Sequence, residues 1–289
     1  DIVHSKTQGI SPELINNLVW WFQELSKIAD VHVTLGNHDG LILNPDREDA
    51  ISPIINAISN SQDTRHKIHL YKQSGVYHLG NKSNVDYELA VFSCFDEAGW
   101  DSLAPKPSAI NIATFHGPVR GSKTDENWSL EGDIKTDFFD GYDYVMLGDI
   151  HKQQFLTEKI AYCGSTIQQN YGETPHKGFL FWEIDSYDFK VKHVEVAHNS
   201  PFVTLEYTGN LDEIQTQAET YPERSRFRIR VQSYVTQAER TQIRAAIKGV
   251  ATPSEVVFKT EEDEYSKQIS EELLEDHEAL DSYDAVWSL

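Results

Sequence analysis

Val31-His32-Val33-Thr34-Leu35-Gly36-Asn37-His38-Asp39 is a stretch in which a strand runs into a cluster of chemistry-bearing side chains. The β-branched and apolar residues of 31–35 predict a short strand. Gly36 permits a tight turn and a close backbone approach, and an amide, an imidazole and a carboxylate follow at once. The pattern recurs twice. Tyr142-Asp143-Tyr144-Val145-Met146-Leu147 leads into Gly148-Asp149-Ile150-His151, and Asn111-Ile112-Ala113-Thr114-Phe115 ends at His116. In open α/β sheets ligands bind beyond the carboxyl ends of the strands. Three strand ends carrying oxygen and nitrogen donors therefore predict one polar site assembled from distant segments.

Outward from these runs, Ser11-Pro12-Glu13 predicts a helix start, with Ser as N-cap and Pro at the first helical position. Leu14, Ile15, Leu18, Trp21, Phe22, Leu25 and Ile28 follow at helical spacing and predict one inward face. A second helix is expected over 47–60. Strands are expected over 67–72, 75–79, 87–95, 110–115, 142–147, 159–163 and 178–184. Strands interleaved with helices and loops favour an α/β architecture over an all-β barrel. Beyond His198-Asn199-Ser200-Pro201 the pattern reads strand 202–207, helix 211–220, strand 226–234, helix 236–249, strand 254–259. The expected organisation is a main domain over 1–197, a small domain over 198–260, and an acidic tail over 261–289. In that tail Ile269, Leu273 and Leu274 fit either a short partner-binding helix or a solvated segment.

Composition narrows the function. Of 289 residues, 39% are hydrophobic, enough for a sizeable core. The net charge of -21 is a poor match for bulk DNA, so any nucleic-acid role needs local basic residues, bound metal or a partner. Two cysteines, Cys94 and Cys163, without a C-x-x-C spacing read as buried thiols of a reducing, cytoplasmic compartment. No apolar run of roughly 18 residues predicts a membrane span.

Asp1, Asn37, His116, Asp149 and His151 offer carboxylate, amide oxygen and imidazole, with no thiolate. That donor set suits Mn²⁺ or Fe²⁺. A bridging carboxylate can hold two ions roughly 3.5–4 Å apart, a pair that activates water and clamps phosphate oxygens. The plain alternative is that Gly36-Asn37-His38-Asp39 is only a turn; Gly148-Asp149-Ile150-His151 and His116 weigh against it. His66, His69, His78, His176, His193 and His198 read as surface or packing residues. Gly117-Pro118-Val119-Arg120-Gly121-Ser122-Lys123-Thr124 lacks the Gly-Lys adjacency of a phosphate-binding loop. Its Arg120 and Lys123 face either DNA phosphates or solvent. Arg224, Arg226, Arg228 and Arg230 alternate and share one face, read either as a DNA-backbone contact or as a salt-bridged surface. Trp20, Trp21 and Trp128 read as core rather than as base-stacking platforms. No G-x-S-x-G elbow is present, which argues against serine hydrolase chemistry.

Gly36-Asn37-His38-Asp39 and Gly148-Asp149-Ile150-His151 resemble the motifs of the calcineurin-like metallophosphoesterases. Asp1-Ile2-Val3-His4 resembles the family's second motif in the nuclease branch. Tyr162-Cys163-Gly164-Ser165, Tyr171-Gly172-Glu173 and His176-Lys177-Gly178-Phe179 resemble a stretch of the SbcD-type nucleases, with the T-even phage recombination endonuclease as the nearest form. The resemblance covers about residues 1–185. It implies a metallophosphoesterase-type β-sandwich flanked by helices, with a small α+β capping domain. By position it implies Asp1 as a bridging ligand of two divalent ions, Mn²⁺ first, with Mg²⁺ or Fe²⁺ as alternatives. Asn37, His116 and Asp149 would complete one site and His151 would serve the other. His38 would act on the leaving oxygen, His4 would position the phosphate, and Asp39 would orient a histidine from behind. The implied partners are DNA, an SbcC-type ATPase and a second copy of the chain, with no membrane, in the cytoplasm of the cell or of a phage host. Two departures stand out. The family's first motif, D-x-H, would precede Asp1, so the expectation is a longer parent chain. Asp149 stands where many relatives carry His, which hardens the site. The leading expectation is a metal-dependent DNA nuclease of recombination and double-strand-break end processing. Its rivals are a phosphatase or cyclic-nucleotide phosphodiesterase, and a non-catalytic scaffold for the ATPase.

Overall fold

The structure, a computed structural model, describes residues 1–3, 10–44, 46–61, 65–185, 188–232 and 235–260. The chain divides into two compact units. One holds 1–166 and 176–196; the other holds 167–175 and the chain from 197 onward. The expected acidic tail, 261–289, lies outside the described residues.

In the first unit the helix α1, Pro12–Ser26, is capped by Ser11 Oγ, which accepts the Leu14 amide at 3.2 Å. It leads to β1, Val31–Thr34, then α2, Ser52–Ser61, and β2, Ile68–Tyr71, which pairs parallel to β1. The second helix starts later than the expected 47, because Asp49 is used as a turn. Its buried carboxylate accepts the Ile51 and Ser52 amides at 2.9 and 2.7 Å. The inward stripe of α1 is also narrower than expected. Leu18 and Phe22 are buried, whereas Ile15, Trp20, Trp21 and Ile28 are exposed, so the two tryptophans are not core. A 3.6-residue period lets one helix side face β1 and α2 while the flanking positions rotate out to water.

A six-stranded mixed sheet forms the body of this unit. Its strands are β3, Gly75–Lys82; β4, Val85–Phe92; β5, Ala109–His116; β6, Tyr144–Gly148; β7, Gln154–Thr157; and β8, Ile160–Tyr162. They lie in the order β3-β4-β5-β6-β8-β7. The pairs β4-β5, β5-β6 and β6-β8 are parallel, and the outer two pairs are antiparallel. The side-chain period of two sorts its residues between two cores. Ala90, Phe92, Ala113, Phe115, Val145 and Leu147 pack on one face with Phe139 and Tyr162. Leu89, Val91, Ile110, Ile112 and Tyr144 pack on the other, where Trp182 and Phe189 join them. Those two come from the antiparallel hairpin β9, Gly178–Ile184, and β10, Phe189–Glu195. Because four consecutive sheet positions run parallel, their carboxyl ends gather along one edge.

The second unit is a three-stranded parallel sheet of β11, Phe202–Tyr207; β12, Arg226–Val231; and β13, Glu255–Thr260. It is joined by α3, Leu211–Glu219, and α4, Gln237–Lys248, the latter opened by a reciprocal Thr236–Glu239 capping box. Phe227, Ile229, Ile214, Ile243 and Ile247 are fully buried between sheet and helices. Residues 167–175 join this unit, away from the expected boundary near 198, because Gln168 pairs with the start of β11. Its Oε1 accepts the Phe202 amide at 3.0 Å, and its Nε2 donates to the Phe202 carbonyl at 3.3 Å. Cys94 is buried as expected, but Cys163, just past β8, is exposed. Among the described residues no helix is long and apolar enough to cross a membrane.

Phe227→Ala removes a side chain with no exposed surface from this small core. The variant is expected to lose about 3–5 kcal/mol of unfolding free energy, measured by denaturant titration with far-UV circular dichroism. A midpoint within experimental error of the parent would contradict this packing.

Candidate metal centre

β1, β5 and β6 deliver their chemistry at the carboxyl ends. Gly36 to Asp39 follow β1, His116 is the last residue of β5, and Asp149 follows β6. The three segments, with Asp1, converge on the His116 ring. His116 Nε2 lies 3.3 Å from Asp1 Oδ1, 3.4 Å from Asn37 Oδ1 and 3.7 Å from Asp149 Oδ1. Ligand atoms of Asp1, His116 and Asp149 all fall within 4.8 Å of one another. The side chains are mostly shielded, at 10% exposure for His116, 17% for Asp1 and 23% for Asp149.

A layer behind these groups sets their positions. Asp39 is buried, and its carboxylate accepts the amides of Ile2 at 2.8 Å, Val3 at 3.0 Å and Gly36 at 2.8 Å. These hydrogen bonds tie the Asp1 segment to the end of β1. Asp1 Oδ1 in turn accepts the His38 amide at 2.8 Å. Gly36 has no room for a side chain, because a Cβ there would collide with Asp1 Oδ1 and stand 2.5 Å from His116 Cε1. A Cβ on Gly148 would stand 2.9 Å from His116 Nδ1. Asp149 takes φ +90, a region that non-glycine residues occupy only where surroundings enforce it.

Burial pushes the His116 imidazole down to about 4. The ring is therefore neutral at pH 7, with a lone pair free for a cation. Asp149 and Asp39 oppose the shift.

Two further residues carry weight that the sequence did not assign them. Tyr162 is fully buried, and its hydroxyl accepts the Val119 amide at 2.8 Å and donates to the Gly117 carbonyl at 2.7 Å, pinning the chain just after His116. Burial raises its pKa to about 12. Lys177 is buried against Asp125 at 3.3 Å, and its Nζ donates to the His151 carbonyl at 3.0 Å. Both sit inside the stretches quoted for the family resemblance, but a lone Tyr or Lys gives no spacing signal.

The remaining expected residues are placed as follows. His151 lies two residues after Asp149, but its ring is not one of the groups gathered at His116. His38 is half-buried. His4 lies outside the described residues. Arg120 donates from Nε to the Gly132 carbonyl at 2.9 Å, and Lys123 is exposed. Arg224 precedes β12, so three arginines alternate on that strand rather than four. Register explains their partners. Arg226, Arg228 and Arg230 stand opposite Phe202, Thr204 and Glu206 of β11. Arg226 stacks over Phe202 at 4.8 Å, Arg228 Nε donates to Thr204 Oγ1 at 3.1 Å, and Arg230 pairs with Glu206 at 2.8 Å. Arg228 also stacks over Tyr171 at 4.9 Å.

No protein-family model matches the chain. Over 193 residues, 64% of its length, the chain is 38% identical to a protein of Acanthamoeba polyphaga mimivirus described as "Uncharacterized protein R555". It spans 14% of that viral protein. That description names no activity, ligand or partner.

Gly36→Ala is expected to displace Asp1 or His116 and to cost about 1–3 kcal/mol through overpacking, read as a lower denaturation midpoint. Unchanged stability would mean that the contacts relax freely. The depressed His116 pKa also sets a pH dependence. Between pH 6.5 and about 4 the unfolded chain binds a proton there that the folded chain does not. Stability of the metal-free protein should therefore fall as pH drops through that window. His116→Gln should flatten this slope, and an unchanged slope would argue against a buried neutral ring.

Proposed function

We propose that this chain carries the catalytic site of a divalent-metal-dependent phosphodiesterase that cuts DNA, on a calcineurin-like metallophosphoesterase sandwich. The observation that carries the reading is the convergence of Asp1, Asn37 and Asp149 oxygens on the neutral ring of His116. Two carboxylates, an amide oxygen and an imidazole make a hard-to-borderline donor set. It suits Mn²⁺, with Mg²⁺ and Fe²⁺ as alternatives. For one ion the residues fit. A second ion would draw on His151, which stands apart from the group, so the two-ion form rests on the sequence resemblance. When bound, such an ion supplies Lewis acidity, polarising a phosphoryl oxygen and lowering the pKa of water.

The chain's own residues supply the rest of the mechanism. Asp39 fixes the backbone of the Asp1 segment and of Gly36, so the donors are held before any ligand arrives. The Asp1 carboxylate anchors the amide of the half-buried His38. In this reading His38 protonates the departing 3′ oxygen. Arg120 and Lys123, on the loop that follows His116, meet the phosphates flanking the scissile bond. His4 would position the phosphate itself. An SbcC-type ATPase docking near 269–274, and pairing with a second copy of the chain, complete the proposed assembly.

The test is degradation of linear duplex DNA in Mn²⁺, with His38→Ala and Asp149→Asn beside the parent. Loss of a general acid should lower the rate by about 10²-fold or more. Equal activity in His38→Ala would remove its role. Faster hydrolysis of para-nitrophenyl phosphate than of DNA would replace the nuclease with a phosphatase. No activity on any phosphate ester, together with no Mn²⁺ binding, would leave the scaffold reading.

A further inference from the structure

In the first unit, residues 117–133 form a loop that leaves Trp128 69% exposed. A single apolar residue on a loose loop would mean little, but this loop is braced. Lys177 and Asp125, at 2% and 8% exposure, form an ion pair at 3.3 Å. Gln154 Nε2 donates to the Lys123 carbonyl at 2.7 Å, and its Oε1 accepts the Lys123 amide at 2.9 Å. Lys152 Nζ donates to Asn127 Oδ1 at 2.5 Å. The tip closes on itself. The Thr124 amide donates to the Trp128 carbonyl at 3.0 Å, the Trp128 amide donates to Thr124 Oγ1 at 3.3 Å, and Asn127 takes φ +68.

Burying a lysine ammonium is unfavourable unless it is paired. Here a buried pair and a two-bond amide clamp both hold one loop, and an indole on its returning arm is left in water. Packing does not account for that arrangement. A fixed, solvent-facing indole is suited to stacking on nucleobases, a contact that tolerates any sequence. The brace also fixes its place. Lys152 directly follows His151 and holds the residue before Trp128, so the His151 and Trp128 Cα atoms lie within about 20 Å of each other. An extended single strand covers that span in a few nucleotides.

We propose that Trp128 is a nucleobase-stacking subsite that grips the single-stranded part of a nucleic-acid substrate a few nucleotides from His151. This deepens the phosphodiesterase reading and rests on it for the substrate class. It also reverses the expectation that Trp128 is core.

The experiment compares binding of (dT)8 with binding of an equally charged abasic octamer, in EDTA so that no cleavage intervenes. The parent should bind (dT)8 about 5- to 100-fold more tightly, the range that one or two stacked bases supply. Trp128→Ala should lose most of that preference while keeping its affinity for the abasic octamer, and Trp128→Phe should retain part of it. Backbone contacts alone would not distinguish the two ligands. An equal preference in Trp128→Ala, or none in the parent, overturns the subsite. Hydrolysis of linear DNA in Mn²⁺ is scored separately. Hydrolysis with binding that ignores Trp128 sinks the stacking alone, whereas a Trp128-dependent preference without hydrolysis sinks the catalytic reading and leaves the stacking standing.

Discussion

The buried carboxylate of Asp39 ties together two distant parts of the chain. It accepts amides from Ile2, Val3 and Gly36, and so brings a segment at one end of the sequence to the end of β1. A buried carboxylate is tolerated only when its oxygens are occupied by donors, and here three backbone groups do that. The consequence is positional. Asp1 can reach the His116 ring only because Ile2 and Val3 are held, and Gly36 must lack a side chain because Asp1 and His116 fill the space its Cβ would need. One carboxylate and one missing methyl group thus set the spacing of the whole cluster.

How much of this could be read from residues alone depends on the kind of signal. Strands whose apolar run was bounded by glycine or polar residues, such as 178–184 and 202–207, sit where the alternation put them. His116 and Asp149 were legible as neighbours because they end adjacent parallel strands, β5 and β6, and Asn37 because it follows the end of β1. Short or irregular pieces were not. β7 is a four-residue strand with a register shift, and the sequence before β10, Asp185-Ser186-Tyr187-Asp188, carries no Asn-Gly or Asp-Gly signal. The burial of Trp20, Trp21 and Trp128 was misjudged for one reason. Residue type gives an average tendency, while exposure depends on which face a neighbouring element covers. Lys177 and Tyr162 were invisible as functional candidates because their importance lies in what they touch, across gaps that no local pattern spans.

The arginines of β12 show the same point from the other side. On a chain of net charge -21 an alternating basic stripe suggests a partner outside the molecule. Yet parallel register sets an aromatic ring, a hydroxyl and a carboxylate directly opposite them, and each guanidinium has a contact within its own unit. Cross-strand pairs of this type stabilise sheets. Any anion would have to share these groups with Phe202, Thr204 and Glu206, which lowers what they can add to binding. The acidic chain uses its cations inwardly elsewhere too, as Lys177 with Asp125 and Lys106 with Glu88 illustrate.

That inward use sharpens the contrast with the His116 centre. There, two carboxylates face an imidazole that burial keeps neutral. Asp149 occupies a backbone region that side-chain-bearing residues avoid, and Gly36 and Gly148 leave no slack around the ring. A surface turn selected for stability alone would relax such strain and separate such charges. Strain of this kind survives where the surroundings over-determine it. Here Asp39 before the ring, Tyr162 behind the loop after it and Lys177 at His151 each hold a different strand end. Side chains held this rigidly would lose little further freedom to any ligand, because the ordering is already present in the folded chain.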